Sequence, residues 1–304
     1  MGPFFESLQG LPFRGEILSV GAAVIWAMAV LLFRVSGRTV PPLALNLFKN
    51  SFAVVTLLLT MLLLGQPLLP KISLQSYVLV VTSGLIGVAL SDTLFFGCLN
   101  LLGASLTAVI DCLYSPFVIL LSFLFIGERL GTRQLFGVAL ILSALALISR
   151  SKEKGFPPRK DLILGIGLGT LAMITLAASI VMIKPLLAET PVLWVTLWRM
   201  AAGAVALGVY LPFHSRRRMI CRSLLSLRAW RSMVPGAFLG ASISPVVWVA
   251  GMKYTLVSIA APLNQLNSIF IFVLAAIFLK ENVTRAKMAA VALATIGAFL
   301  VSWP

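Results

Sequence analysis

Ten stretches of nearly uninterrupted apolar residues alternate along the chain with short polar, glycine-rich or proline-rich breaks. They run Glu16–Arg34, Leu43–Leu64, Tyr77–Gly97, Ala104–Ile126, Arg133–Ser149, Leu162–Lys184, Val192–Pro212, Met233–Met252, Val257–Leu279 and Ala286–Trp303. Each approaches the roughly 20 residues a helix needs to cross the hydrocarbon core. Membrane barrel strands alternate with period two over about ten residues. These stretches are longer and apolar throughout, so the pattern predicts helices. Pro41-Pro42, Gly65-Gln66-Pro67, Gly127-Glu128-Arg129, Pro157-Pro158 and Pro191 separate them. The expected fold is an all-α polytopic membrane protein with ten transmembrane helices. Composition agrees: of 304 residues, 60% are hydrophobic and 11% charged, against about 25% charged in soluble domains. Ten spans use about 200 positions, which leaves no room for a separate soluble domain.

Charge then orients the helices. The net charge is +15, from 24 Lys and Arg against 9 Asp and Glu, and most of it falls between the apolar stretches. One face gathers Arg34, Arg38, Arg150, Lys152, Lys154, Arg159, Lys160, Arg216, Arg217, Arg218, Arg222, Arg228, Arg231, Lys280, Arg285 and Lys287; the other has Arg14, Lys71, Arg129, Arg133, Lys184 and Lys253. Positive charge marks the cytoplasmic side, so the first face is expected inside a bacterial-type inner (plasma) membrane and both termini outside it. The basic loops suit anionic lipid headgroups. No interleaved aromatic and basic groove pattern accompanies them, which argues against nucleic acid. The segment His214–Ser232 spaces Ile220, Leu224, Leu227 and Trp230 among arginines, which fits either a short amphipathic helix on the inner leaflet or a solvated basic loop. The first 15 residues carry only Glu6 and Arg14 as charges, unlike a basic signal region, so the first stretch reads as a retained helix. Cys98, Cys112 and Cys221 form no CxxC and read as apolar fillers. No Walker A motif is present, and no metal or other cofactor is expected.

Sliding the chain by 153 residues lays Ala89–Ile148 over Ser242–Val301 with 13 identities in 60 positions. Apolar composition inflates such a count, so the polar coincidences carry the argument. Ser91 meets Ser244, Ser105 meets Ser258, Asp111 lies opposite Asn264, Ser115 meets Ser268, and Glu128 meets Glu281. At a slightly smaller offset Lys49 faces Arg199. The chain is therefore expected to fold as two five-helix repeats, 1–155 and 156–304. Five helices per repeat force the copies into opposite orientations around a central cavity, the arrangement of transporters that work by alternating access.

The ends of the repeats resemble a known family. Phe125-Ile126-Gly127-Glu128-Arg129-Leu130, followed by Gly137, is similar to the Glu-containing turn between the fourth and fifth helices of EamA-type permeases in the drug/metabolite transporter superfamily. Phe278-Leu279-Lys280-Glu281-Asn282-Val283, followed by Gly297, resembles the second copy. Arg199 resembles the basic residue early in the second helix of a repeat, with Lys49 as its variant. The resemblance covers nearly the whole chain. It implies a ten-helix basket whose cavity is lined mainly by helices 1–4 and 6–9 and which moves small metabolites. Ala290 in place of a second Gly137, and Asn282 in place of Arg129, depart from the pattern.

Ionisable groups inside a membrane are costly and mark candidate sites. Asp92 and Asp111 each lie about 8–10 Å inside the cytoplasmic boundary at 1.5 Å per helical residue, and Arg34 and Lys49 approach the same depth. The four charges are expected to converge. Either an aspartate binds a proton or a substrate amino group, or the set is an ion-pair network that locks the first repeat. Arg199, Asn264, Gln265 and Asn267 form a second cluster, expected toward the opposite face. Asn264 and Ser268, like Asp111 and Ser115, are four residues apart and so share a helix face. Amides there either select a polar solute or join helices. Glu128 and Glu281 read as structural hairpin clamps that pair with an adjacent cation or accept from the next helix's first turn. Trp26, Trp194, Trp198, Trp248 and Trp303 fit interfacial anchors or cavity walls alike. Pro116, Pro245 and Pro262 can free backbone carbonyls and bend helices. The glycines at 165, 167 and 169, and those at 236 and 240, read as close-packing faces.

The function expected is a secondary transporter of small polar or amphipathic metabolites, such as amino acids or related compounds, most simply an exporter. Monomer and homodimer both remain open. The alternatives are a channel or an intramembrane enzyme using Asp92 and Asp111. Against the enzyme, GxSxG and HExxH are missing and the one histidine, His214, lies in a loop.

Overall fold

A computed structural model describes residues 13–70, 72–126, 131–150, 156–183, 186–188, 190–254 and 263–302. The regular elements among them are helical. They are α1 (Arg14–Ser36), α2 (Pro42–Leu63), α3 (Leu74–Gly84, then Ser91–Leu102 after a π-helical turn), α4 (Ala104–Asp111), α5 (Tyr114–Ile126) and α6 (Thr132–Arg150). The second half of the chain supplies α7 (Arg159–Ile183), α8 (Val192–Tyr210), α9 (Arg217–Leu224), α10 (Leu227–Ala237, then Ser244–Tyr254 after a second π-helical turn), α11 (Leu266–Phe278) and α12 (Arg285–Ser302). Among the described residues six helices are long and apolar enough to cross a membrane: α1, α2, α3, α7, α8 and α10.

Local chemistry sets the helix ends. Pro42 starts α2, where its fixed φ suits the first turn and its missing N–H costs nothing. Ser73 caps α3 by accepting from Ser76 N at 3.1 Å. Gly103 stops α3 at φ +83°. The fourth apolar stretch, expected as one helix, is instead two, with a turn at Cys112–Leu113 between α4 and α5. Pro116 accounts for the break: it has no N–H for the Cys112 carbonyl, and its ring crowds that carbonyl in a continuous helix. In the ninth stretch a turn at Gln265 precedes α11, 153 residues after Cys112. The helix-face arguments for Asp111 with Ser115 and for Asn264 with Ser268 therefore fail, because each pair straddles a break. The segment after Phe213 does contain a helix, α9, with Ile220 buried and Arg217, Arg218 and Arg222 exposed.

Two features repeat along the chain. The π-helical turns occupy Leu85–Leu90 and Phe238–Ile243, an offset of 153. Just beyond each, a buried serine reaches the other half: Ser91 Oγ donates to Ala172 O at 2.8 Å and Ser244 Oγ to Ala22 O at 3.3 Å. Thus α3 docks on α7 as α10 docks on α1. A π-helical turn leaves carbonyls without their usual partners. Asn46 meets those of the first turn, donating from Nδ2 to Val88 O at 2.8 Å and Ala89 O at 3.0 Å. At the axis of the repeat α2 packs on α8 and α6 on α12. The last contact is close enough that a Cβ on Gly297 would lie 2.6 Å from Gly137 O.

Polarity is distributed inside out relative to a soluble protein. Lys49, Asn46, Asn50, Asp111, Arg199 and Asn267 are buried, while Ile17, Leu59, Leu63, Ile163, Val205 and Ile277 are more than half exposed. An exterior of that kind is stable against lipid tails. The polar interior is where function is to be sought.

Candidate functional site

The buried polar residues converge on a cavity of about 150 Å³ between the two halves. Asp92, Asp111, Lys49, Arg199, Asn264, Asn267, Trp26 and Trp248 all line it. Ser115 and Ser268 stand one residue behind: Gln265 Nε2 donates to Ser115 Oγ at 2.6 Å, and Ser268 Oγ to Asn267 Oδ1 at 3.1 Å. The structure adds Gly87, Tyr114 and Met173 to the lining, together with Gly240, which the sequence pattern marks as a packing glycine. The matched positions of Gly87 and Gly240, 153 apart, were a readable signal for two of them.

Three placements differ from expectation. The two clusters do not lie toward opposite faces. They meet, with Asn267 Nδ2 donating to Asp111 Oδ2 at 3.0 Å, because α4 packs directly on α11. Only two of the four charges in the first half pair with each other: Lys49 Nζ lies 2.6 Å from Asp92 Oδ2. Arg34 turns instead to the end of α3, donating from Nη1 to Leu99 O at 3.0 Å and Asn100 O at 2.8 Å. A cation is favoured there by the unsatisfied carbonyls of a helix C-terminus.

Third, Glu281 clamps across the halves rather than within its own hairpin. Its carboxylate accepts from Ala104 N at 2.9 Å, Ser105 N at 3.1 Å and Ser105 Oγ at 2.7 Å, and Arg34 Nε stands 4.0 Å away. It is an N-terminal cap for α4 supplied from the α11–α12 turn. Gly103 makes the approach feasible, since a Cβ there would sit 2.8 Å from Glu281 Oε1. Arg34, Ser105 and Glu281 thus tie α1, α3 and α4 to the second half. Asp111 stands six residues along α4 from Ser105, about 9 Å at helical rise. Glu128, Pro262 and Trp303 lie outside the described residues.

Other expectations resolve by geometry. Trp194 and Trp198 both donate from Nε1 to Leu68 O, at 3.0 and 3.2 Å, with Tyr77 edge-on to each, so they pin the α2–α3 loop. Gly165, Gly169, Gly236 and Gly240 pack tightly against Leu102, Ile110 or Phe33, whereas Gly167 faces open space. Pro245 lines the cavity.

A cavity that receives charged and amide side chains from both halves, inside a bundle with an apolar exterior, marks a multi-pass membrane protein with a site in its interior. The chain belongs to the EamA-like transporter family, whose family model matches it twice, over residues 13–150 and 163–303. A relative in Archaeoglobus fulgidus described as an uncharacterized transporter is 23% identical over 288 residues, 95% of this chain and 98% of its own length. A solved structure described as a crystal structure of a protein shares the fold, with TM-score 0.65 and 18% identity over 94% of each chain.

Proposed function

We propose that the chain is a secondary transporter that carries small polar or amphipathic metabolites, amino acids or related compounds among them, outward by alternating access. The observation that supports this is the cavity: charged and amide side chains from both halves face one space of about 150 Å³. In this reading the chain makes ten crossings in two inverted repeats, 1–155 and 156–304. Helices α4 and α5 together form one crossing, and α6, α11 and α12 complete the count. Both termini lie outside an inner membrane, and the exposed arginines of α9 rest among anionic headgroups. Asp92 and Asp111 are held separately, by Lys49 and by Asn267, which suits binding better than a proton-sharing catalytic pair. Counterflow in proteoliposomes against a metabolite panel, at two pH values, tests the proposal. Saturable exchange is expected, and passive, unsaturable flux would make the protein a channel instead.

A further inference from the structure

The repeat places a cation at equivalent points of the two halves, but among the described residues only Lys49 has a carboxylate partner within 4.0 Å. Lys49 is 2% exposed and salt-bridged to Asp92. Arg199, its counterpart 150 residues on, is 8% exposed and lines the same cavity. The position equivalent to Asp92, 153 residues on, is Pro245, which also lines the cavity. Among the described residues no carboxylate lies within 4.0 Å of Arg199. Its Nη2 donates to the neutral Ser179 Oγ at 3.2 Å, and its buried Nε has no hydrogen-bond partner. The charge of Asp92 reaches it across the cavity, but that carboxylate is already engaged by Lys49.

A buried guanidinium held by a hydroxyl is poorly compensated, because desolvation penalises its charge and, among the described residues, the carboxylate that acts on it does so from beyond ion-pair distance. The surroundings hold it in place. A Cβ on Gly87 would overlap Ser179 Oγ and fall 3.0 Å from Arg199 Nη2, so the glycine opens the space in which serine and guanidinium meet. The corresponding contact in the other half is apolar: Gly240 faces Ala29 and Phe33. One half therefore closes its ion pair internally, and the other lines the cavity with a guanidinium that, among the described residues, no carboxylate pairs.

We infer that Arg199 is the subsite for an anionic group of the transported solute, a carboxylate or similar oxyanion, which stands to Arg199 as Asp92 stands to Lys49. The inference rests on the transport reading and names the substrate chemistry of that same cavity. Guanidinium forks match planar oxyanions with paired, charge-assisted hydrogen bonds. The solute's anion thus completes a pair that the second half of the chain leaves open.

The test uses full-length protein in nanodiscs and two isosteric probe pairs: valerate with valeramide, and norvaline with norvaline amide. Binding is followed through the fluorescence of cavity tryptophans and checked by counterflow in proteoliposomes. The carboxylate of each pair is expected to bind about tenfold or more tightly than its amide, since a site built around a charged donor rejects a ligand lacking the matching acceptor. Arg199→Gln should erase that preference and Arg199→Lys retain part of it. Pro245→Asp should also erase it, by supplying an internal carboxylate at the place equivalent to Asp92; this arm stays informative if Arg199→Gln does not fold. Preference retained in folded Arg199→Gln or in Pro245→Asp overturns the inference, as does a wild-type protein that binds amides equally or no carboxylate probe at all. Saturable counterflow of the amide probes alone would remove the anion subsite and keep the transporter. Carboxylate binding without saturable counterflow would do the reverse.

Discussion

Glu281→Ala removes the carboxylate that caps α4 from the other half of the chain. Three donors lose their acceptor: Ala104 N, Ser105 N and Ser105 Oγ. An N-cap is worth about 1–2 kcal/mol, and hydrogen bonds to an ionised group about 1.5–3 kcal/mol. Arg34, 4.0 Å away and partly exposed, adds at most about 1 kcal/mol. Because the three donors share one carboxylate, about 3 kcal/mol is expected for Glu281→Ala. Glu281→Gln keeps an acceptor oxygen and should cost about half as much. Ser105→Ala alone should cost about 1 kcal/mol. The double variant should then cost about 3 rather than 4 kcal/mol, a coupling of about 1 kcal/mol in a double-mutant cycle. Reversible unfolding in mixed micelles, followed by tryptophan fluorescence, measures all four species. Additivity within about 0.5 kcal/mol, or a cost for Glu281→Ala below about 1 kcal/mol, would refute the clamp.

Three further outcomes follow from the same geometry. Lys49→Met strands the Asp92 carboxylate and should destabilise by about 3–5 kcal/mol, while adding Asp92→Leu should recover most of the loss in the same unfolding assay. Gly297→Ala drives a Cβ to 2.6 Å from Gly137 O and should cost about 1–3 kcal/mol by overpacking α6 against α12. Asp111→Asn still offers Asn267 an acceptor, so the fold should survive, whereas losing a charge from the cavity lining should, on the transport reading, lower saturable counterflow about tenfold or more. Full, equally pH-dependent flux in that variant would make Asp111 purely structural.

Much of the helical pattern was legible because lipid demands long apolar runs, and those runs survive any rotation of a helix. The cavity was legible in part. Depth along a helix placed Asp92 and Lys49 at one height, and they do meet. Depth carries no information about direction around the axis, so Arg34 was assigned to the same cluster although it points to the end of α3. The breaks at Cys112 and Gln265 escaped notice because an apolar run looks the same whether it holds one helix or two. Only Pro116 betrayed the first. The π-helical turns were hidden for a similar reason, since Leu85–Leu90 and Phe238–Ile243 are ordinary apolar hexamers. The cross-half cap by Glu281 required knowing that α4 packs on α11, a tertiary fact that the turn sequence does not contain.

The two π-helical turns also bear on the chain's ancestry. A π-helical turn at the same place in each half, 153 residues apart, is what duplication of one unit that already carried the turn would leave. The residues beside the turns differ between the halves: Asn46 corresponds to Thr196, and Asp92 to Pro245. Two identical copies of one such half, set together as the halves are here, would carry two identical cation sites. In the single chain the two positions have diverged, one cation now paired with Asp92 and the other lining the cavity.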